Sequence, residues 1–435
     1  MNRVTSLVLF FVCSVGPLQV TNAQRGATKA FVSDLKAITD IMVYDVTSPV
    51  AAARYYAYST LASYEIVAAQ EAHYQSFPPF FKQPPQLDVQ LTVPLTNPEK
   101  AYRYALLLTA SKLLPSGKKL LPKIEALQQH LTSKEQTTLE AYTTAVVNYA
   151  NTDGFLQLNN LKRYTPKRGE GYWQPTKPAF MAPVEPNWNT IRPFFLSAAN
   201  QFLTKPPERF DMTPQSEFYR LTQEVREVVD LNDKKYNEIA AFWDCNPYAI
   251  SQVGHLEFGL KKISPGGHWI GIAGIATRKA KMTLPQTIFT HTLLSVALHD
   301  AFIACWDEKY RSDRIRPETV INRYMDPAWT PLLQTPPFPE YVSGHSVIST
   351  TAAEILTLLI GDDFRFRDTS EKEYGLKTRS YKSFRHAAEE ACISRLYGGI
   401  HFMDAIDQGA WQGKKVAELI IAATAAMRPR VWYQL

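Results

Sequence analysis

Three short stretches in the second half of the chain carry residue types suited to holding a tetrahedral anion. The first is Lys309-Tyr-Arg-Ser-Asp-Arg-Ile-Arg316-Pro317. A spacing of seven residues is almost two helical turns, so a helix continuing from Leu284 through this stretch would point Lys309 and Arg316 the same way, toward one anion. Pro317 disfavours helical geometry at the preceding residue, which predicts Arg316 at a helix end facing a cavity. The same letters, Arg311 and Arg314 included, also suit a solvated basic run. The second stretch, Pro336-Pro-Phe338-Pro-Glu-Tyr-Val-Ser343-Gly344-His345, precedes an apolar helix starting near Ser346. Ser343 and Gly344 at a helix start would bring a hydroxyl and free backbone N–H groups to one point. His345 adds a group that takes or gives a proton near neutral pH, although a plain Ser N-cap with a packed histidine explains the same residues. The third stretch is Ser394-Arg395-Leu-Tyr-Gly-Gly-Ile-His401-Phe-Met-Asp404. Arg395 can pair bidentately with an oxyanion, and His401 emerges from a glycine-permitted bend where an imidazole can serve as nucleophile or metal ligand. The alternative there is a loop with a helix-capping Asp404.

Helical periodicity surrounds these stretches. It predicts helices over 27–44, 50–72, 100–113, 123–130 and 134–149, then over 218–229, 235–242, 284–308, 347–359, 383–396 and 405–425. Ser48 and Pro49 read as the cap and first turn of the second helix, which would present Ala51, Tyr55, Ala62 and Ile66 to a partner. Two proline-rich segments, 77–98 and 166–193, interrupt the pattern. Tyr172, Trp173, Phe180 and Trp188 make the second an ordered, extended surface segment rather than a loose linker. With 19 glycines and few alternating runs, the expected class is all-α: an N-terminal helical half over 24–215 packed on a C-terminal helical bundle over 216–435 that carries the chemistry.

The 435 residues are 45% hydrophobic, 12% aromatic and 20% charged, enough apolar surface to exclude wholesale disorder. Forty-seven basic against 41 acidic residues give +6, too mild for nucleic acid yet suited to an anionic substrate. Met1-Asn2-Arg3, the apolar run from Val4 to Val15, and Thr21-Asn22-Ala23 before Gln24 read as a signal peptide over 1–23, so the protein is expected to be secreted or periplasmic, starting near Gln24. No later uninterrupted apolar stretch reaches the roughly 18 residues of a membrane span. Cys245, Cys305 and Cys392 form no C-x-x-C pattern and read as buried thiols, with one disulfide plus a free thiol as the alternative.

The order Lys-x6-Arg-Pro, Ser-Gly-His, Ser-Arg-x5-His resembles the signature shared by vanadium-dependent haloperoxidases and type 2 phosphatidic acid phosphatases. Pro-Pro-Phe-Pro-Glu-Tyr, Tyr-Gly-Gly-Ile-His, Ser48-Pro49 with Arg54-Tyr55-Tyr56-Ala57-Tyr58, and the segment from Trp173 to Pro193 look like the soluble haloperoxidase branch, extending the resemblance over most of the mature chain. It implies that Lys309, Arg316, Ser343, Gly344 and Arg395 hold the oxygens of vanadate, with phosphate able to take the same place. It also implies that His401 bonds the vanadium, His345 moves protons, Lys309 polarises bound peroxide, and Phe338 lies near the halide. Hydrogen peroxide and halide would give a hypohalous acid. Two positions depart from the pattern: Val342 stands where a proline is common, and Asp404 lies three rather than four residues after His401, so Asp404 and Asp407 are both candidates to orient His401. The rival readings are a phosphatase acting on phosphate esters, with His401 as nucleophile and no metal, and a noncatalytic anion-binding protein. His268, within Gly266-Gly267-His268-Trp269, is family-associated but more simply structural, and packing is the expectation for His299 and Asp300.

Overall fold

In the computed structural model, which describes residues 22–85, 94–253, 256–259 and 262–427, the chain is built from helices. The first half supplies α1 (Asn22–Tyr44), α2 (Pro49–Gln70), α3 (Pro98–Leu113), α4 (Leu121–Gln128) and α5 (Ser133–Asn151). The second supplies α6 (Glu217–Asp230), α7 (Lys234–Phe242), α8 (Pro265–Lys279), α9 (Leu284–Ser312), α10 (Pro317–Tyr324), α11 (Gly344–Ile360), α12 (Phe384–Tyr397) and α13 (Met403–Ala423). Two antiparallel hairpins, β1 (Ile250–Val253) with β2 (Leu256–Gly259) and β3 (Phe366–Asp368) with β4 (Arg379–Tyr381), complete the regular structure. The all-α class holds, while α8, α10 and both hairpins were not anticipated. Most of the expected signal peptide, residues 1–21, lies outside the described residues, as does His255.

Side-chain caps set the helix starts. Ser48, Ser216, Asp233, Ser264, Ser343 and Ser383 each accept a backbone N–H of the first turn, and Thr132 and Thr283 form reciprocal capping boxes with Glu135 and Gln286. The 29-residue α9 is apolar enough to cross a membrane by length and composition, yet it is buried inside the protein and acts as the core helix. α2, α8, α11 and α13 pack around it. α2 shows no single apolar face: every residue from Pro49 to Val67 is buried, because α3 and α5 cover the side that α9 does not. Its Arg54 is neutralised by Asp153 at 2.6 Å and by the Ala150 carbonyl at 2.8 Å. One hydrophobic core takes in side chains from Ala27 to Met427, so both chain halves share it. A second core joins Phe218, Leu221 and Val225 of α6 to Ile315, Val320, Leu396, Phe402 and Ile406.

α13 lies close against the start of α11 because Gly409 and Gly413 carry no side chain there. A Cβ on Gly409 would stand 2.7 Å from the Ser343 carbonyl oxygen, and one on Gly413 would collide with the backbone of Val347. Gly413→Ala should therefore push the two helices apart and cost about 1–3 kcal/mol. Urea unfolding followed by circular dichroism should show a lower midpoint with unchanged slope; an unchanged midpoint would mean that the helix contact tolerates the methyl.

Candidate active site

The cationic loop between α9 and α10 is shaped by three local constraints. α9 does not continue through Arg316, as the seven-residue spacing required; it stops at Ser312, where Asp313 adopts a left-handed conformation (φ 53°). Lys309 thus sits in the last helical turn, and Arg316 reaches the same cavity from an extended residue (φ −86°, ψ 150°) held there by Pro317. The proline-rich segment pins this loop. Ile315 N–H donates to the Gly171 carbonyl at 3.0 Å, and Trp173 N–H to that of Asp313 at 2.9 Å. Trp173 and Trp188 are wholly buried, so the segment is an anchored strap and not merely a surface covering. In extended backbone, alternate residues share a side: Ile315 enters the second core, while Arg314 and Arg316 both turn toward Glu340 and His401.

Ser343 caps α11 as its sequence suggested. Its hydroxyl oxygen accepts the Ser346 N–H at 3.3 Å and the Ser346 O–H at 2.9 Å, which leaves its own proton to donate. Gly344 and His345 form the first turn of α11, where backbone N–H groups lack intrahelical partners. Arg395, in the last turn of α12, donates to the Trp243 carbonyl at 2.8 Å and to the Ser394 hydroxyl at 3.0 Å. Gly344, His345, Arg395, His401 and Phe338 together line a small cavity of about 30 Å³, with Trp306, Tyr248 and Cys245 among its other walls. Lys309 lies beside it, its ammonium 5.1 Å from the Phe338 ring and hydrogen-bonded to the carbonyls of Pro339, Glu340 and Val342. The predicted cradle residues and both histidines converge.

The orienting partner of His401 is neither of the expected aspartates. Nδ1 of His401 lies 2.7 Å from Glu340, whose same oxygen accepts the Phe402 N–H at 3.1 Å. The other Glu340 oxygen accepts a hydrogen bond from Arg314 Nε at 2.6 Å and makes an ion-pair contact with its Nη2 at 2.5 Å. Asp404 pairs with Arg314 from the opposite side, at 2.5 and 2.7 Å, and Asp407 is exposed. Asp404 therefore acts at one remove, through Arg314 and Glu340. Glu340 stands inside the quoted Pro-Phe-Pro-Glu-Tyr stretch, but only the fold reveals that an acid 61 positions upstream meets His401. A lone carboxylate in an apolar, proline-rich approach to Ser-Gly-His was the available signal.

Charge in this cavity is heavily one-sided. Burial, then the neighbouring Arg316, Lys309 and Arg395 cations, holds the His401 imidazole well below its ordinary pKa. Burial, Arg395 and His401 do the same to His345. Both rings are neutral near pH 7, and the Glu340 contact assigns the His401 proton to Nδ1, leaving the Nε2 lone pair to accept a hydrogen bond from Arg316 Nη1 at 3.3 Å. Burial brings Lys309 down to about 7 and Arg316 to about 10. An arriving anion would raise all four. Two buried nitrogens, Nη2 of Arg316 and Nε2 of His345, have no hydrogen-bond partner. Unsatisfied buried donors, a spare Ser343 proton and an imidazole lone pair suit a tetrahedral oxyanion whose central atom bonds nitrogen, so the residues fit vanadate. The larger cavity between α1 and α8, about 580 Å³, lies elsewhere and has mainly apolar walls.

His291, His299 and Asp300 are structural, as expected for the latter pair: Asp300 accepts three backbone N–H bonds, from Phe194, Phe195 and Leu196, and His299 contacts the Arg192 carbonyl. Cys245, Cys305 and Cys392, the cysteines among the described residues, are buried and form no disulfide. Because Glu340 fixes the tautomer of His401, Glu340→Gln should weaken vanadate binding by about 10- to 100-fold, whereas Asp407→Asn should leave it unchanged. Equilibrium vanadate titration of both variants checks this; equal losses would return the orienting role to Asp407.

A family model described as the VCPO second helical-bundle domain matches residues 289–428, which hold all three oxyanion stretches. No curated protein matches the sequence. The crystal structure of the first bacterial vanadium-dependent iodoperoxidase is 39% identical to this chain, with 94% of this chain and 98% of that one covered and a TM-score of 0.82. Apo and holo structures of a bacterial vanadium-dependent chloroperoxidase share the fold at 16% and 15% identity, with TM-scores of 0.63 and 0.59. They cover 89% and 91% of this chain and 95% and 93% of theirs. Likeness along nearly the whole of two chains at 39% identity decides membership: the protein belongs to the vanadium-dependent haloperoxidases, a family of oxidoreductases.

Proposed function

We propose that this protein oxidises iodide with hydrogen peroxide to the hypohalous acid, using vanadate held in the cavity between the starts of α10, α11 and α13. The observation that carries the reading is the neutral His401, with Nδ1 tied to Glu340 and the Nε2 lone pair met only by the Arg316 guanidinium among cations that suit an oxyanion. Vanadate, when bound, supplies a Lewis-acid centre that activates peroxide without changing oxidation state. His401 would hold the metal through Nε2. Arg316 and Arg395 neutralise the oxyanion, and Ser343 O–H and the α11 N-terminal N–H groups donate to its oxygens. Lys309 donates to three backbone carbonyls, and turning one N–H toward peroxide would draw electron density from it. His345, neutral and unpartnered at Nε2, takes the proton that peroxide releases and returns one to the water that leaves. The balance is H₂O₂ + X⁻ + H⁺ → HOX + H₂O. Trp306, Phe302, Phe338 and Pro265 give the cavity an apolar flank, suited to a large, weakly hydrated anion. Iodide is favoured on that ground, because it is the most easily oxidised common halide, and because the 39%-identical relative is an iodoperoxidase.

The same donor set would hold phosphate, so phosphate should compete with vanadate. Peroxide-dependent oxidation of iodide, bromide and chloride should be assayed beside phosphate-ester hydrolysis, with and without vanadate. Vanadate-dependent iodide oxidation is expected; hydrolysis without halide oxidation would make the protein a phosphatase with His401 as nucleophile. His401→Ala should abolish both tight vanadate retention and turnover. His345→Ala should keep much of the affinity and lose about 10² to 10⁴ in turnover, the scale of a lost acid-base group. Equal affinity losses would refute the division of roles.

We also propose export, on the leader-like pattern of Met1 to Ala23. Intact mass of the protein from its native host should place the mature start near Gln24; soluble cytosolic protein retaining the first 23 residues would remove the proposal.

A further inference from the structure

Behind the cavity wall lies a second buried cluster that the oxyanion chemistry does not use. It is assembled from four separate elements: Cys245 after α7, His268 in the first turn of α8, Asp368 at the end of β3, and Glu371 in the turn that follows. All four side chains are buried, with Glu371 5% exposed and His268 fully enclosed. The His268 ring is held flat against Trp243, with centroids 4.5 Å apart and planes 21° from parallel, and Phe242 meets its edge.

The proton on this ring can be placed. Asp368 Oδ2 lies 2.8 Å from Nε2, while its other oxygen accepts the Ser370 N–H and O–H at 2.9 and 2.6 Å. A carboxylate accepts and cannot donate, so Nε2 carries a hydrogen, and on the neutral ring Nδ1 presents its lone pair on the far side. Into that lone pair point Cys245 Sγ at 3.3 Å and Glu371 Oε1 at 3.2 Å. Glu371 Oε1 has no hydrogen-bond partner. A buried carboxylate oxygen facing an imidazole lone pair is repulsive unless something positive stands between them. The three donor atoms lie within 4.8 Å of one another.

We propose that Cys245, His268 and Glu371 bind a zinc ion, with Asp368 fixing the His268 tautomer from behind. Tetrahedral zinc with bonds of about 2.0–2.3 Å separates its ligand atoms by about 3.3–3.7 Å, close to the two separations from His268 Nδ1, 3.3 Å to Cys245 Sγ and 3.2 Å to Glu371 Oε1. A thiolate, an imidazole and a carboxylate form a donor set that zinc accepts, and the carboxylate–histidine contact is the usual support behind a metal-bound ring. On binding, the Cys245 S–H bond breaks, sulfur keeps the electron pair for the metal, and the proton leaves to solvent. The ion would tie the turn after α7 to α8 and to the β3 hairpin. That turn carries the Trp243 carbonyl that holds Arg395, and Cys245 is itself part of the cavity wall, so the metal would brace one side of the oxyanion site.

The competing occupant is a second proton on Nδ1, which would make His268 an imidazolium between two carboxylates. Elemental analysis of the full mature chain, purified without chelators from zinc-supplemented cells, distinguishes the two. About one zinc per chain is expected in wild type, and cobalt(II) in its place should give a near-ultraviolet thiolate charge-transfer band. Cys245→Ser should lose that band, Glu371→Gln should bind zinc at least about tenfold more weakly, and Cys392→Ser should match wild type. Wild-type protein that holds no zinc and gives no cobalt–thiolate band, or a Cys245→Ser variant that keeps the band, overturns the proposal. The wild-type measurement decides the matter even where a variant fails to fold.

Discussion

Glu340 is the carboxylate on which the cationic site depends. It is fully buried and takes hydrogen bonds from Arg314, the His401 ring and the Phe402 backbone. Lys309, Arg314, Arg316 and Arg395 are all buried within the same region, and burying a charge without a partner costs several kcal/mol per ion. Arg314 is matched by Glu340 and Asp404 and lies over the Tyr341 and Phe402 rings, so it is a structural cation. Arg316 and Arg395 are instead held by carbonyls and a hydroxyl, which accept hydrogen bonds but carry no countercharge. Positive charge is therefore left over where an anion is wanted, and the protein bears that cost until one arrives.

This imbalance couples the titrating groups. Burial, and then the neighbouring cations, press His345, His401 and Lys309 toward their neutral forms, and an incoming oxyanion would favour the charged form of all three. The sign is the same in each case: these folded-state pKa values lie below the ordinary ones, so proton uptake accompanies anion binding. An anion would thus move the His345 pKa back toward the range in which an imidazole can both accept and return a proton.

Rigidity comes from what surrounds the loops. The ends of α9, α10, α11, α12 and α13 meet at the cavity, and four of the five are set by different devices: the left-handed Asp313, the Pro317 turn, the Ser343 cap, and the glycines of α13 that let it press on α11. The strap from Tyr172 to Pro193 binds the first of these through backbone hydrogen bonds and reaches the Phe338 loop through Val184, whose N–H donates to the Pro337 carbonyl at 3.0 Å. Loops held at both ends by helices and from the side by a strap can keep unsatisfied donors aimed at one point.

The sequence by itself determined the helical class, because apolar periodicity and capping residues act over a few positions and are visible in one window. It also picked out residues that the fold brings together, since Lys309, Arg316, Ser343, Gly344, His345, Arg395 and His401 occupy three short stretches whose residue types suit an anion. Local geometry was less legible. The α9 helix ends before Arg316 because Asp313 turns left-handed, and a seven-residue spacing cannot distinguish one helix from a helix, a turn and a loop that arrive at the same cavity. α2 was read as one-faced because periodicity records where apolar residues recur, not whether a second layer covers the other side. The Glu340–His401 pairing, the Asp404–Arg314 relay and the cluster of Cys245, His268, Asp368 and Glu371 were decided by tertiary structure alone. Their members lie tens of residues apart, and a hydrogen bond between distant side chains leaves no periodicity for a sequence to display.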